Sequence, residues 1–338
     1  MSNQPLATIA FVFRERLSPT VSCLQHLLDT TTLGSYELIC VDGGAPESIA
    51  ASIRQLAARH NFTLIRRENY LSPNQSRNLA LQRVRTRYVV FVDNDVTVGQ
   101  DWLNPLVRCA EETGAWLVAP LYLETHKGEL KIHMFGGQIQ VRDEEGRSAY
   151  IEKHHLQHVS ADGKSRLQRQ TTELIEFHTL LMNMDAYQAL GPLDEKLLNI
   201  AEHSDLCLAV RNAGKQIYLE PSSVIAYLIP DRLDVIDREY FALRWSESWT
   251  EATLERLAQK YAIPLEDGGL RGIDKWVRQH RQRVTAAYPR LRGLFGPKWH
   301  ERFRKYVGQP LEKRRNLRRY SLSEVVIKHK TEGKVISG

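Results

Sequence analysis

The chain is poor in the features that would each settle a broad class. No apolar run among its 338 residues approaches the roughly 18 that span a bilayer, so nothing reads as a transmembrane helix. Cysteine is scarce. Cys23, Cys40, Cys109 and Cys207 lie far apart in apolar contexts, with no C-x-x-C spacing. That excludes a disulfide scaffold and points to buried thiols in a reducing, cytoplasmic compartment. The first residues, Met1-Ser2-Asn3-Gln4-Pro5, lack the basic stretch and small-residue cleavage site of a signal peptide. Phosphate-binding glycine loops are missing. There is no G-x-x-x-x-G-K-[ST], and no G-x-G-x-x-G follows the first strand. A P-loop NTPase and a dinucleotide-dependent dehydrogenase are therefore disfavoured. No internal repeat is found.

What is present looks globular. Hydrophobic residues make up 42% and charged residues 25%, ordinary for a folded protein. The length suggests about two domains, or one large one with an extension. The net charge of +6 is unevenly spread. Residues 271–320 hold 16 Lys/Arg against 3 Asp/Glu, and residues 321–338 add a net +1, so residues 1–270 carry −8. The basic character belongs to the C-terminal segment. Nucleic acid is accordingly not the expected partner of the body of the chain.

Strand and helix signals alternate through residues 7–120. Apolar runs at Ala7–Phe13, Glu37–Val41, Phe62–Ile65, Tyr88–Val92 and Trp116–Ala119 read as strands. Helices are expected from Ser18-Pro19 to Thr30 with Ser18 as cap, from Pro46 to His60, from Ser72-Pro73 through Arg83, and over Asp101–Glu112. This alternation predicts βαβ units and a parallel sheet covered on both faces. Residues 121–172 are less regular, with turns at Gly136-Gly137 and 143–146 and a polar loop over 152–170. Glu202–Ala213 reads as a helix closed by Gly214. Ile217–Leu219 and Val224–Leu228 read as two strands. Residues 234–261 read as one helix with Trp245 and Trp249 on a common face.

Ligands of open parallel sheets bind beyond the carboxyl ends of the strands. Here those ends carry Arg14-Glu15-Arg16, Asp42-Gly43-Gly44 and Asp93-Asn94-Asp95. Paired carboxylates repel a diphosphate directly, but a hard divalent cation takes carboxylate and phosphate oxygens together. An Asp-x-Asp turn alone is common. At the end of an apolar strand, with Asp42 at a second strand end, it is an active-site pattern.

These residues resemble family 2 glycosyltransferases of the GT-A fold. The match runs through Val41-Asp42-Gly43-Gly44, then Ser76-Arg77-Asn78, then Tyr88-Val89-Val90-Phe91-Val92-Asp93-Asn94-Asp95, and covers about residues 7–232. The resemblance implies an α/β fold with a Rossmann-like, mostly parallel central sheet and helices on both faces. Residues 1–120 would be the nucleotide-sugar-binding half, 121–232 the acceptor-binding half, and 233–338 a helical, basic extension. It also implies sugar transfer from a nucleoside-diphosphate sugar, usually with inversion, to a glycan or lipid-linked acceptor. Phe13, Arg14, Asp42, Arg77 and Asp93 would hold the donor. Asp93 and Asp95 would bind Mn²⁺ or Mg²⁺, with Asp95 as direct ligand.

Two departures stand out. The family's Gly-Gly-Phe-Asp-Glu turn and E-D-x-D-L helix start read here as Gly191-Pro192-Leu193-Asp194-Glu195 and Glu202-His203-Ser204-Asp205-Leu206, followed by Arg211. His203 occupies the position of the usual base. A neutral imidazole can accept a proton near pH 7, and Glu202 and Asp205 are further candidates. Many relatives also carry a metal-binding His after the strand at 224–228, where this chain reads Ala226-Tyr227-Leu228-Ile229-Pro230.

Other features have plainer readings. His154, His155 and His158 are expected in a solvated loop, His178 as a core or pocket residue, and Trp245 and Trp249 as core. The basic segment 271–320, interleaved with Trp276, Leu291, Leu294, Phe295, Trp299 and Phe303, reads as a solvated helical face or a contact with an anionic membrane at the inner face of the cell. Alternatives to the transferase are a nucleotidyltransferase, which usually carries a glycine-rich loop absent here, and a degenerate GT-A protein that binds without turnover.

Overall fold

The computed structural model describes residues 5–320 except 15, 32–35, 127, 144, 230–232 and 286–295. Glu15, Pro230, Leu291, Leu294 and Phe295 of the sequence reading lie outside the described residues, as does Glu144 of the expected 143–146 turn.

Four parallel strands form the first half of the sheet: β1 (Ala7–Val12), β2 (Tyr36–Gly43), β3 (Thr63–Arg67) and β4 (Tyr88–Asp93), ordered β3-β2-β1-β4. Every residue of β1 and β4 is buried. That is why both read as unbroken apolar runs rather than alternating ones. Helices α1 (Thr20–Thr30), α2 (Glu47–His60), α3 (Pro73–Leu81) and α4 (Leu103–Thr113) connect them and the strands that follow. Ser72 caps α3 through a reciprocal capping box with Gln75, with Pro73 in the first turn. Asp42 and Asp93 therefore stand at the carboxyl ends of β2 and β4, the two parallel strands that flank β1.

The second half differs from simple βαβ repetition. After the short β5 (Val96–Val98) comes β6 (Leu117–His126), which runs on through the residues expected to be irregular. β7 (Glu129–Met134) folds back on β6, and β8 (Gly137–Arg142) with β9 (Ser148–His154) forms a separate hairpin. Of the expected loop over 152–170, only residues 152–154 belong to β9 and Gln170 to β10 (Gln170–Thr172), which lies at the sheet edge; between them the chain makes a short 3-10 turn over Ala161–Arg166 and otherwise no regular element. β11 (Thr179–Asn183) inserts between β4 and β6 and runs antiparallel to both. α5 (Met184–Leu190) and α6 (Glu202–Asn212) lead to β12 (Ile217–Tyr227). The two strands expected at 217–219 and 224–228 are one strand, with a register shift between Glu220 and Val224. The result is a largely parallel α/β sheet flanked by helices, followed by C-terminal helices.

The expected helix over 234–261 breaks after one turn pair. α7 (Arg238–Arg244) ends at Trp245, and Ser246 caps α8 (Glu247–Tyr261) by accepting from the Trp249 amide. The break sends the two tryptophans apart. Trp245 packs with Phe241 and Val277, and Trp249 with Leu243 and Tyr320. Both are core, as expected, but not on one face. α9 (Gly268–Thr285), α10 (Pro297–Phe303) and α11 (Gln309–Arg319) complete the chain. Buried Arg281 on α9 joins Glu247 of α8 at 2.6 Å, Glu312 of α11 at 2.7 Å and the Trp245 carbonyl at 2.7 Å. Among the described residues no helix is long and apolar enough to cross a membrane.

Ser18 does not cap α1, whose first turn follows Pro19 without a side-chain cap. Its hydroxyl instead donates to Asp237 Oδ2 at 2.8 Å, while the amides of Leu17 and Ser18 both donate to Oδ1 at 2.7 Å. Asp237 is fully buried, so this one carboxylate fastens the loop after β1 to the C-terminal helices. Asp237→Ala would leave two amide donors unsatisfied. Each such orphan costs about 1–3 kcal/mol, so a total loss of about 2–6 kcal/mol is expected, read as a lower urea midpoint. Asp237→Asn, which keeps an acceptor, should lose less.

Candidate active site

The carboxyl edge of the sheet gathers the residues that the sequence singled out. Asp42 is buried. One oxygen accepts from the Ala45 amide at 2.8 Å and the other pairs with Arg66 on β3. Burial raises its pKa despite both partners. Gly44 sits at φ +84°, where a Cβ would come within 2.8 Å of the Asn69 carbonyl carbon, so this turn requires glycine. Phe13 is buried beside it. The Arg14 amide donates to Asn94 Oδ1 at 2.9 Å, and Asn94 Nδ2 donates to Thr20 Oγ1 at 2.7 Å. The middle residue of Asp-Asn-Asp is thus the tie that locks that turn to the loop after β1.

Asp93 and Asp95 are both fully buried. Buried carboxylates need compensating charge, and three arginines provide it. Arg77 Nη2 donates to Asp93 Oδ1 at 3.2 Å, and its guanidinium lies 3.7 Å over the Phe177 ring. Arg14 Nη1 stands 3.5 Å from Asp93 Oδ2. Arg16 Nη1 reaches Asp95 Oδ2 at 3.1 Å and the Tyr227 hydroxyl at 2.9 Å. Burial nonetheless pushes the Asp93 pKa up and the Arg77 pKa down.

A histidine joins these carboxylates from an unexpected direction. The Asp93 amide donates to the His178 carbonyl at 3.0 Å, continuing the antiparallel ladder in which Thr179 pairs with Val92. His178 is the residue before β11. Because β11 runs backwards, its start lies where the parallel strands end. His178 Nδ1 is 3.7 Å from Asp93 Oδ2, and ligand atoms of Asp93, Asp95 and His178 lie within 4.8 Å of one another. Burial and the Arg14 guanidinium hold the His178 pKa well below normal, so the ring is neutral. Its Nδ1 accepts from Arg14 Nη1 at 2.7 Å, and its Nε2 faces Glu176 at 3.2 Å.

Behind His178 lies a row of alternating imidazoles and carboxylates. Glu176 meets His133 Nε2 at 3.0 Å, and His133 Nδ1 meets Glu124 at 2.6 Å. Glu124 also meets His158 Nδ1 at 2.7 Å. Burial would lower the His133 pKa, but Glu176 and Glu124 outweigh it and lift it to about 9. His154 stands 3.0 Å from Glu152. His154 thus lies on β9 with a carboxylate partner rather than in a loop, whereas His155 and His158 sit exposed in the loop as expected, His158 with Glu124 as its partner.

The acceptor motif opens α6. Ala201, immediately before it, is buried and held in the left-handed region at φ 63°, a local strain of the kind that collects at functional sites. A cavity is lined by Arg14, Arg77, Glu176, Phe177, Glu202, His203 and Arg244. Glu202 is buried with Arg244 Nη2 at 3.5 Å from Oε1. The His203 ring turns its Nε2 toward Glu152, 3.5 Å away. Asp205 lies outside this cavity, held by the Tyr261 hydroxyl and Lys260 Nζ, both at 2.6 Å. Arg211 also points elsewhere, donating to the Ile139 carbonyl at 2.6 Å. Asn74 and Asn78 on α3 clamp the Leu193–Asp194 turn through its carbonyls at 3.0 and 2.9 Å.

Asp42, Arg14, Arg77, Asp93, Asp95, Glu202 and His203 are thus brought to one edge, and Asp205 is not. Sequence reasoning missed Arg16, Glu152, Glu176 and Arg244, and took His178 for a core or pocket residue. Arg16 was legible from its place after β1. Arg244 carries no local signal, since it arrives from a helix more than two hundred residues away.

Comparison with known proteins agrees with this architecture. A Pre-mycofactocin glycosyltransferase of Mycobacterium tuberculosis (strain CDC 1551 / Oshkosh) is 23% identical over 197 residues, 58% of this chain and 38% of that protein. An uncharacterised protein of Sinorhizobium fredii is 28% identical over 222 residues, 63% of this chain and 23% of its own length. The chain therefore spans well under half of these relatives. Among solved structures, GalNAc-T7 with UDP, GalNAc and Mn²⁺ aligns with a TM-score of 0.54 at 14% identity, over 95% of this chain and 59% of that one. A mannosyltransferase from Pyrobaculum calidifontis with GDP-Man and Mn²⁺ aligns at 0.50 and 13% identity, over 98% of this chain and 88% of that one. These likenesses establish the fold. The model for "Glycosyl transferase family 2" matches residues 9–184, more than half of the sequence, and the chain belongs to that family.

Proposed function

We propose that this chain transfers a glycosyl group from a nucleoside-diphosphate sugar to an acceptor hydroxyl, with inversion at the anomeric carbon. The observation that carries this reading is the cavity in which Glu202 faces Arg14, Arg77 and Arg244 beside Asp93. The nucleoside would lie against Phe13, Arg14 and the Asp42 turn. The structural neighbours named above hold UDP or GDP-Man and Mn²⁺, which supports a nucleotide-sugar donor and a divalent ion.

The residues fit such an ion. Asp93 Oδ2 is buried and accepts no hydrogen bond, and two carboxylates with an imidazole suit Mn²⁺ or Mg²⁺. Asp93, Asp95 and His178 would hold it, His178 supplying the histidine that 226–230 lacks. A bound divalent ion neutralises the charge that develops on the departing diphosphate. Arg14 and Arg16 pair with the same two carboxylates, and Arg14, which lines the cavity, would meet phosphate oxygens of the donor once a cation shares in compensating Asp93.

In the displacement, the acceptor oxygen forms its bond to the anomeric carbon as the bond to the diphosphate oxygen breaks. The acceptor proton passes to Glu202, and the nucleoside diphosphate leaves toward the arginines. Glu202 suits this role because it borders the cavity; His203 lines it too, but its Nε2 is placed 3.5 Å from Glu152, and Asp205 is sequestered by Lys260 and Tyr261.

A second proposal concerns the C-terminal helices. Trp276, Trp299, Tyr306 and Leu311 are 46–69% exposed, among exposed Arg271, Lys275, Arg302, Lys305, Arg314, Arg315, Arg318 and Arg319. Aromatic and basic side chains together suit an anionic bilayer surface, which would bring a lipid-linked acceptor near.

Three outcomes are expected. With UDP-, GDP- and dTDP-sugars and Mn²⁺, the wild type should release nucleoside diphosphate, and Glu202→Gln should lower kcat by roughly 10²–10⁴-fold, the range for a lost general base, at similar KM. Asp95→Asn should abolish the Mn²⁺ dependence of nucleotide binding in a thermal-shift titration. Failure of the wild type both to turn over and to bind nucleotide in a metal-dependent way would sink the enzyme reading. Tyr306→Ser with Leu311→Ser should weaken co-sedimentation with phosphatidylglycerol vesicles, and equal binding to neutral phosphatidylcholine vesicles would refute the electrostatic contact.

A further inference from the structure

We propose that Glu152, His154 and His203 form a second metal site, of the zinc type, separate from the Asp93–Asp95 edge. The inference rests on the geometry of these residues and does not depend on the transferase reading.

Two elements build the cluster. β9 alternates Tyr150, Glu152 and His154 onto one face, since strand side chains repeat every second residue. The first turn of α6 brings His203 and Ser204 to the same place. Glu152 Oε1 stands 3.0 Å from His154 Nε2 and 3.5 Å from His203 Nε2, and the three atoms fall within 4.8 Å of one another. Tetrahedral zinc with bonds of about 2.0–2.1 Å sets neighbouring ligand atoms about 3.3 Å apart. The two measured separations bracket that value. Two imidazoles and one carboxylate are also a recurrent zinc ligand set, with the fourth position left to water or another group. Glu176 Oε1, 3.8 Å from His154 Nε2, is placed to approach that position.

Hydrogen bonding alone accounts for the cluster poorly. His203 Nε2 is buried and has no hydrogen-bond partner, in spite of the carboxylate 3.5 Å away. A buried polar atom left unsatisfied costs about 1–3 kcal/mol. A cation among the three groups would satisfy it. The outer contacts match those that orient metal ligands. Glu152 Oε2 accepts from Ser204 Oγ at 2.7 Å and from the Tyr150 hydroxyl at 2.5 Å, which leaves Oε1 facing the two imidazoles. Glu176 and Glu202 stand nearby and add negative charge. An ion here would pin the start of α6 to the β8–β9 hairpin, and so fix the backbone that carries Glu202 into the cavity.

The test uses the full chain, stripped with a chelator and titrated with Zn²⁺ by calorimetry, with Co²⁺ absorption as a report on geometry. Asp95→Asn removes the other metal site from the measurement. The expected result is one equivalent of Zn²⁺ bound by Asp95→Asn, with a tetrahedral Co²⁺ spectrum, and a second equivalent in the wild type, where the Asp93–Asp95 edge also takes the ion. In Asp95→Asn, adding His154→Ala or Glu152→Gln should weaken Zn²⁺ binding by more than about 100-fold, beyond the loss from removing an outer partner. Glu152→Gln preserves shape and decides the matter if His154→Ala fails to fold by circular dichroism. Absence of Zn²⁺ binding in Asp95→Asn, or unchanged affinity in the Glu152→Gln variant, would overturn the proposal.

Discussion

Two carboxylates with no solvent exposure, Asp93 and Asp95, stand at the end of a fully buried strand. Their charge is the constraint around which the rest of the site is arranged. Removing an ion from water costs several kcal/mol unless opposite charge meets it. The chain meets it with Arg14 and Arg16 from the loop after β1 and Arg77 from α3. Each arginine is itself held in place. Arg77 stacks on Phe177, Arg16 bonds Tyr227, and the Arg14 carbonyl accepts from Arg244. Under the proposed reading, this balance of carboxylates and arginines would suit a divalent ion and the diphosphate it accompanies.

The antiparallel insertion of β11 has the largest chemical consequence of any topological feature. In a wholly parallel sheet only the residues after strands reach the ligand edge. Reversing one strand delivers the residues before it, so Glu176, Phe177 and His178 arrive beside Asp93. The β6–β9 segment then packs Glu124, His133, Glu152 and His154 behind them.

Much of this was legible in the residues. Unbroken apolar runs identified the buried strands, the Ser72 cap identified α3, and the acidic strand ends pointed to the edge where the carboxylates and arginines gather. The errors have physical causes. The 152–170 stretch is mostly the loop it was read as; only its ends, 152–154 and Gln170, are drawn into strands by pairing with β8 and β12. Trp245 and Trp249 read as one face because their four-residue spacing is helical, and only Ser246 capping a new helix separates them. Ser18 read as a cap because its type and its following proline suit one, but the long-range carboxylate of Asp237 competes for its hydroxyl.

The sequence by itself determined the fold class, the family resemblance and the positions of Asp42, Arg77, Asp93, Asp95 and Glu202, because strand periodicity and strand-end chemistry are local properties. Tertiary structure alone decided the role of each charge. It turned His178 from a packed residue into a partner of Asp93, tied Asp205 to α8, and sent His203 toward Glu152. Those assignments depend on strand direction and on partners tens to hundreds of residues away, and neither is encoded in the spacing of neighbouring side chains.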